Sequence, residues 1–294
     1  MMLKPMVTGQ SFMIQEKLII ENKLDSSNQE NNHLSIQFSL GGFSFCVLNK
    51  ASKKFTTLCS YIFKETNYTP QNLIENITEV FATNPLLKEK YNSVNVSHTN
   101  NLSTLVPKPL FIEESISNYL SYNNKIYKHD FIAHDEIINH DMVNVYVPYV
   151  NINNYFIDQF GGFVYKHFST VLVENLIDIY KYSLIPHMFV HVEDEHFELI
   201  VISNRKLQLY NTFEYKTKED FIYYILFAAE QLDLNPEKFE LQLLGHIKED
   251  DALFKIAYKY IRNVSLLENR SKYVFDSEFT EDVKRNYFTL LHQF

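Results

Sequence analysis

Residues 34–47, LSIQFSLGGFSFCV, and residues 188–201, MFVHVEDEHFELIV, carry one pattern twice. In the first, Leu34, Ile36 and Phe38 alternate with polar residues, Gly41 and Gly42 interrupt, and Phe43, Phe45 and Val47 resume the alternation. In the second, Met188, Val190 and Val192 alternate into the acidic turn Glu193-Asp194, and Phe197, Leu199 and Val201 alternate out of it. A period of two flanking a turn is the signature of a β-hairpin with one buried face. Each hairpin is followed by a third strand, Phe55 to Phe63 in one case and Leu207, Leu209 and Phe213 in the other. A helix then follows each third strand. After Pro70 the residues Leu73, Ile74, Ile77, Val80 and Phe81 share a helical face, and Thr217 caps a helix to about Leu232 whose buried side holds Phe221, Ile222, Ile225, Leu226 and Ala229. Two copies of one supersecondary unit predict a structural duplication.

Each unit extends in a similar way. The first half continues with short strands at Val94–His98 and Leu102–Val106, a helix over 112–122, a strand at 142–147, a helix over 151–160 that Gly161 ends, a strand at 163–167 and a helix over 170–182. The second continues with a strand at 239–244, a helix over 250–261, a short strand at 264–267 and a C-terminal helix from about Asp282, predicted to dock on its own lobe through Val283, Tyr287, Leu290, Leu291 and Phe294. Alternating strands and helices imply mixed sheets covered by helices. The polar run 21–33, ENKLDSSNQENNH, offers little to bury, so 1–33 is predicted to be a flexible tail, 34–182 a first lobe and 183–294 a second.

Composition bounds the rest. The chain has 294 residues, 46% of them hydrophobic, with 24 Phe and 20 Tyr, enough for two cores without a metal or disulfide staple. Only 6 residues are Gly, which argues against glycine-rich nucleotide loops. A net charge of -9 disfavours general nucleic-acid binding. The 2 cysteines, Cys46 and Cys59, match no metal or redox spacing and fit a reducing compartment. The apolar stretch Phe221–Ala229 is about half of what a membrane span needs, and Met1–Gln15 shows no secretory signal. A cytoplasmic protein without membrane insertion is predicted.

The order β-β-β-α-β-α-β, used twice, is that of the ribonuclease-H-like unit carried in duplicate by actin-like proteins. The motifs Leu34-Ser35-Ile36, Gly42-Phe43-Ser44-Phe45, Thr104-Leu105-Val106-Pro107 and Leu110-Phe111 resemble the signature of an uncharacterised bacterial family of the Bacteroidetes type, a domain of unknown function. The likeness covers about 34–294. It implies an actin-like ATPase fold, of the mixed α/β (α+β) class, with two ribonuclease-H-like lobes and a cleft between them. It brings no activity or catalytic residue to carry over.

In actin-like ATPases each lobe opens with a hairpin turn in which a carboxylate seats magnesium and a glycine lets backbone N–H groups approach phosphate. The first turn here, Ser39-Leu40-Gly41-Gly42, keeps glycine and lacks the acid; the second, Glu193-Asp194-Glu195, keeps carboxylates and lacks glycine. Three acids facing a triphosphate repel it by about 1 kcal/mol per close pair at surface-like screening, unless a cation intervenes. Leu244-Gly245-His246, near the expected adenosine contact, has one glycine where such ATPases often have two. No acid lies on either first strand, which disfavours a ribonuclease-H-type metal site.

The pairs His129-Asp130, His134-Asp135 and His140-Asp141 read as a solvated loop, and a two-residue turn would set His191 opposite His196 as a hydrogen-bonded pair, with His187 further along, in preference to a zinc site. No catalytic or metal-binding residue is predicted. Ser39, Gly41, Gly42, Glu193, Asp194 and Glu195 are the candidate cleft residues. The expected function is a non-catalytic interaction or scaffold module with degenerate phosphate loops, a protein partner and no cofactor. The alternative is a divergent nucleotide-binding switch or weak ATPase that uses ATP and magnesium.

Overall fold

The computed structural model describes residues 14–21, 30–64, 69–122, 125–127, 130–138 and 140–294. In chain order the elements are β1 (Ile14–Glu21), β2 (Asn32–Ser39), β3 (Gly42–Asn49), β4 (Lys54–Phe63), α1 (Pro70–Thr83), β5 (Ser93–His98), β6 (Ser103–Pro107), α2 (Ile116–Ser121), β7 (Ala133–Ile137), β8 (Met142–Tyr146), α3 (Val150–Phe160), β9 (Val164–His167) and α4 (Phe168–Tyr180). The second half holds β10 (His187–Val192), β11 (His196–Ser203), β12 (Lys206–Glu214), α5 (Lys218–Gln231), β13 (Glu240–Gly245), α6 (Ala252–Tyr260), β14 (Asn263–Leu266), β15 (Val274–Phe275), α7 (Glu281–Asn286) and α8 (Phe288–Leu291).

The duplication is real at the level of topology. The core of the first sheet runs β4-β3-β2-β5-β9 and the second sheet runs β12-β11-β10-β13-β14. In both, the first three strands are antiparallel and the next two join in parallel. A small third sheet, β6-β8-β7, is inserted between β5 and α3.

Both faces of each main sheet are buried. Leu34, Ile36, Phe43, Phe45 and Val47 face α1 and α3, while Cys46, Leu48, Phe55 and Leu58 face the other way. That second face is taken by the chain's own C-terminus, since α8 delivers Leu290 and Leu291 there and β15 adds to β4. Conversely α4, the last helix of the first half, packs Leu172, Val173, Leu176 and Ile177 against Phe189, Ile200 and Leu244 of the second sheet. The two halves therefore exchange their last helices, and α4 and α8 touch between the sheets.

Two expectations are corrected. The C-terminal segment docks on the first lobe, because the apolar face at Cys46 and Leu48 must be covered and Phe279, Leu290 and Leu291 cover it. The tail predicted over 1–33 is structured at both ends of its described part. Residues 14–21 pair with β4 as an edge strand, with Ile14 and Ile20 packed on opposite faces across a bulge at Lys17, and Asn32 and His33 begin β2. Residues 1–13 and 22–29 lie outside the described residues.

Candidate functional site

The first turn is closed on itself. Ser39 pairs with Gly42 at the end of the β2–β3 ladder, Ser39 Oγ accepts from the Gly41 N–H at 3.3 Å, and the Gly41 carbonyl accepts from the Phe63 N–H at 2.9 Å. A Cβ on Gly42 would sit 2.8 Å from the Tyr61 carbonyl oxygen, so glycine is required there by the close approach of β4. Nothing lies within 4 Å of a Cβ built on Gly41. Leu40, the residue before the two glycines, packs on the first core.

The second turn is engaged by imidazoles. It spans four residues, closed by the Glu193 N–H donating to the His196 carbonyl at 2.9 Å, and the phenol of Tyr215 donates to the Glu193 carbonyl at 2.7 Å. The longer turn moves the register, so His191 lies opposite Glu198 and not opposite His196 as expected. Glu198 then stands between two histidines, 3.0 Å from His191 Nδ1 and 3.3 Å from His196 Nε2. Burial alone would raise the Glu198 carboxyl, but the hydrogen bonds and charges of His191 and His196 outweigh it and hold the group down at about 2. Burial works to lower His191, and Glu198 with Glu193 overrides it and raises the imidazole; His196 is raised chiefly by its bond to Glu198. His187 does not join them: it bonds Ser183 Oγ at 2.7 Å, and burial lowers it to about 4.

The outer carboxylates meet His246. Its Nδ1 lies 3.4 Å from Glu193 and 3.7 Å from Asp194, and its Nε2 lies 3.2 Å from Nζ of Lys17, the bulged residue of β1. An ammonium has only protons to give, so Nε2 accepts and the ring proton faces the acids. Thus a strand of the first lobe touches the histidine that faces the second turn. Tyr287, hydrogen-bonded to Ser60 of β4, also lies within the field of Glu193. Gly245 is needed by close approach: its φ is +81° and an added Cβ would fall 2.4 Å from the Val192 carbonyl oxygen. Glu195 is exposed and offers its carbonyl to the Tyr215 N–H. The structure thus brings Glu193 and Asp194 together with His246. Among the described residues no hydrogen bond or ion pair joins Ser39, Gly41 or Gly42 to Glu193, Asp194 or Glu195, and no group of three or more His, Cys, Asp or Glu is arranged to hold a metal ion.

A second polar network, missed in the sequence, sits where the small sheet meets the start of α4. Asp135 of β7 accepts from the Tyr146 hydroxyl at 2.8 Å, the His167 N–H at 2.8 Å and the Thr170 hydroxyl at 2.7 Å. Asn144 donates to Ser169 and Thr170. The pair His134-Asp135 is therefore no solvated loop: Asp135 is buried, and burial raises its carboxyl against the three bonds. His140 lies 3.5 Å from Asp178, while His129 falls outside the described residues.

His167 Nδ1 lies 2.7 Å from Ser169 Oγ, a spacing that suggests nucleophile and base. However, the same Nδ1 accepts the Ser169 N–H at 3.1 Å as the N-cap of α4, and Asp135 binds the backbone of His167, leaving Nε2 to Asn100. It is a helix cap, fully enclosed, with burial pushing the imidazole to about 3. Its members come from four separate segments, so no local spacing could announce it.

Two sheets of one topology that trade their final helices define the actin-like fold. A structure from Bacteroides thetaiotaomicron VPI-5482, described as a protein with actin-like ATPase fold and unknown function, is similar over 84% of this chain and 94% of its own, with a TM-score of 0.74 and 23% identity. The PilM-PilN type IV pilus biogenesis complex is similar over 89% of this chain and 97% of the matched one, with a TM-score of 0.60 and 11% identity. Among curated proteins none matches the sequence significantly. The model of the family described as protein of unknown function (DUF3822) matches residues 21–264, and the chain belongs to that family.

Proposed function

We infer that this chain is a non-catalytic actin-like module that works in the cytoplasm by binding a protein partner. One observation carries the reading: neither turn joins an acid to a glycine as an actin-like ATPase would toward a nucleotide, and much of what each turn does offer is engaged within the protein. Glu193 faces His246 and His191, Gly42 is tied to the backbone of β4, and neither Ser39 nor Leu40 supplies a magnesium-seating acid. A polyphosphate entering there would have to displace imidazoles from carboxylates that then repel it. The partner reading is supported by the similar fold of PilM, whose structure is of a complex with PilN. The buried thiols of Cys46 and Cys59 suit a reducing compartment, and no described helix is long and apolar enough to cross a membrane.

The test is phosphate release from millimolar ATP with Mg²⁺, run beside affinity capture on the intact chain. The expected outcome is release at the buffer rate and a retained partner that added nucleotide does not elute. Turnover above buffer, abolished by Asp194→Ala, would overturn the reading in favour of a divergent ATPase or nucleotide switch.

A further inference from the structure

A groove of about 560 Å³ separates the small inserted sheet from the second main sheet. It is lined by every residue of β6 and by 207–212 and Glu214 of β12. Side chains on one face of a strand recur every second residue, so an unbroken run of lining residues means that the groove follows the strands' backbone edges. Both are edge strands: among the described residues β6 pairs only with β8, and β12 only with β11.

The ladder bonds show which backbone groups point into the open side. On β6, Val147 N–H donates to the Leu102 carbonyl at 3.0 Å and Lys108 N–H to the Asp141 carbonyl at 2.7 Å. With the register Ser103↔Tyr146 through Pro107↔Met142, residues 102, 104, 106 and 108 turn to β8, and Ser103, Leu105 and Pro107 turn outward. On β12, Tyr215 N–H donates to the Glu195 carbonyl at 3.1 Å, so 209, 211 and 213 turn to β11 and Tyr210, Thr212 and Glu214 turn outward. Of these outward N–H groups, that of Thr212 is met by its neighbour, Asn211 Oδ1, at 3.0 Å. The N–H groups of Ser103, Leu105, Tyr210 and Glu214 have no hydrogen-bond partner among the described residues.

The other sheet edges are guarded. β1 carries Glu16 and Lys17 and a bulge, β9 and β14 have four residues each, and β7 carries Asp135 and Glu136. By contrast β12 runs nine residues with charge only at Lys206 and Glu214, and its irregularity lies at the start, leaving 209–214 regular. Leu105, Leu207 and Tyr210 belong to the apolar cluster around α4, beside the groove.

We propose that this groove binds an extended peptide of a partner protein, which pairs as an added strand on the outward edge of β12 and lies across from β6. Two facing edges with unmet donors and acceptors recognise backbone, so the ligand is a strand and not a helix. Glu214 is the one charged lining residue, so the peptide carries a basic residue at that end and no acid beside it. The five residues of β6 offer about 17 Å of edge, the reach of a short linear segment. This deepens the partner reading above and rests on it.

The probe is a displayed library of linear nonapeptides selected on the full-length chain, followed by hydrogen exchange on the wild-type chain with a selected peptide. Slowed exchange confined to 206–214 and 103–107, a tenfold or greater loss of affinity when alternate peptide amides are N-methylated in one register, and weaker binding of basic peptides to Glu214→Lys are expected. Failure to select any peptide, protection elsewhere, or indifference to N-methylation in both registers would overturn the proposal. Nucleotide turnover, which would sink the non-catalytic reading, moves none of these readouts.

Discussion

The two hairpin turns occupy the same place in two copies of one topology, and the protein engages them in different ways. The first carries no acid, and its Gly42 answers to an internal demand, the carbonyl of Tyr61 beneath it. The second carries three acids, of which Glu193 faces His246 and His191 while Asp194 and Glu195 stay exposed, and behind it on β11 Glu198 is held between His191 and His196. Duplication preserved backbone order while local chemistry diverged, and a residue type seen in a turn says little about function until its partners are known.

The sharpest way to break this contrast is to remove the buried carboxylate behind the second turn, on β11. Glu198→Ala strands the buried imidazole of His191, takes a partner from the half-buried His196, and is expected to cost about 3–5 kcal/mol in urea unfolding, whereas Ser39→Ala in the first turn should stay within about 0.5 kcal/mol. Next in size is Gly245→Ala, which combines a positive φ with a 2.4 Å clash against backbone; a loss of about 3 kcal/mol is expected from the same measurement. Within the first turn, Gly42→Ala should cost roughly 2 kcal/mol through the Tyr61 carbonyl. The adjacent Gly41→Ala, with open space around it, should be close to neutral. Equal effects at 41 and 42 would show that the turn answers to something other than β4.

The pH profile sharpens the comparison through histidines shifted in opposite directions. His167 is lowered to about 3 by burial, so its unfolded form takes up a proton first. Stability is then lost as pH falls below the ordinary value near 6.5, by about 2 kcal/mol at pH 5. His191 and His196 are raised, chiefly against burial by Glu198 in the first case and through the Glu198 bond in the second. Their contribution is full below the ordinary imidazole value and is lost as pH rises through the raised ones. Stability measured by urea from pH 5 to 9 should therefore pass through a maximum, and Glu198→Gln should remove the alkaline decline while leaving the acid one.

Much of the fold was readable because its strands carry large apolar residues at alternate positions, although both faces of the main sheets are covered, and its helices announce their ends. Thr217 forms a capping box with Asp220, and Gly161 ends α3 at φ +74°. What could not be read was which sheet takes which helix: the apolar face of α8 shows that Leu290 and Leu291 need cover, not that Cys46 and Leu48 need it too. β7, with the sequence AHDEI, hid because its buried position is held by Asp135, a polar residue satisfied only in three dimensions. In the candidate site the acids of the second turn were visible, but a turn two residues longer than expected replaced His196 by Glu198 opposite His191. Lys17 and His246 reach that turn from far along the chain, beyond the range of any local motif.

The most direct measurement is calorimetric titration of the intact chain with ATP and Mg²⁺ at neutral pH. The expected result is no saturable heat up to millimolar nucleotide, with Glu193→Ala and Asp194→Ala no different from wild type. A saturable isotherm in the micromolar range that disappears in those two variants would contradict the central claim that the two turns do not cradle a nucleotide.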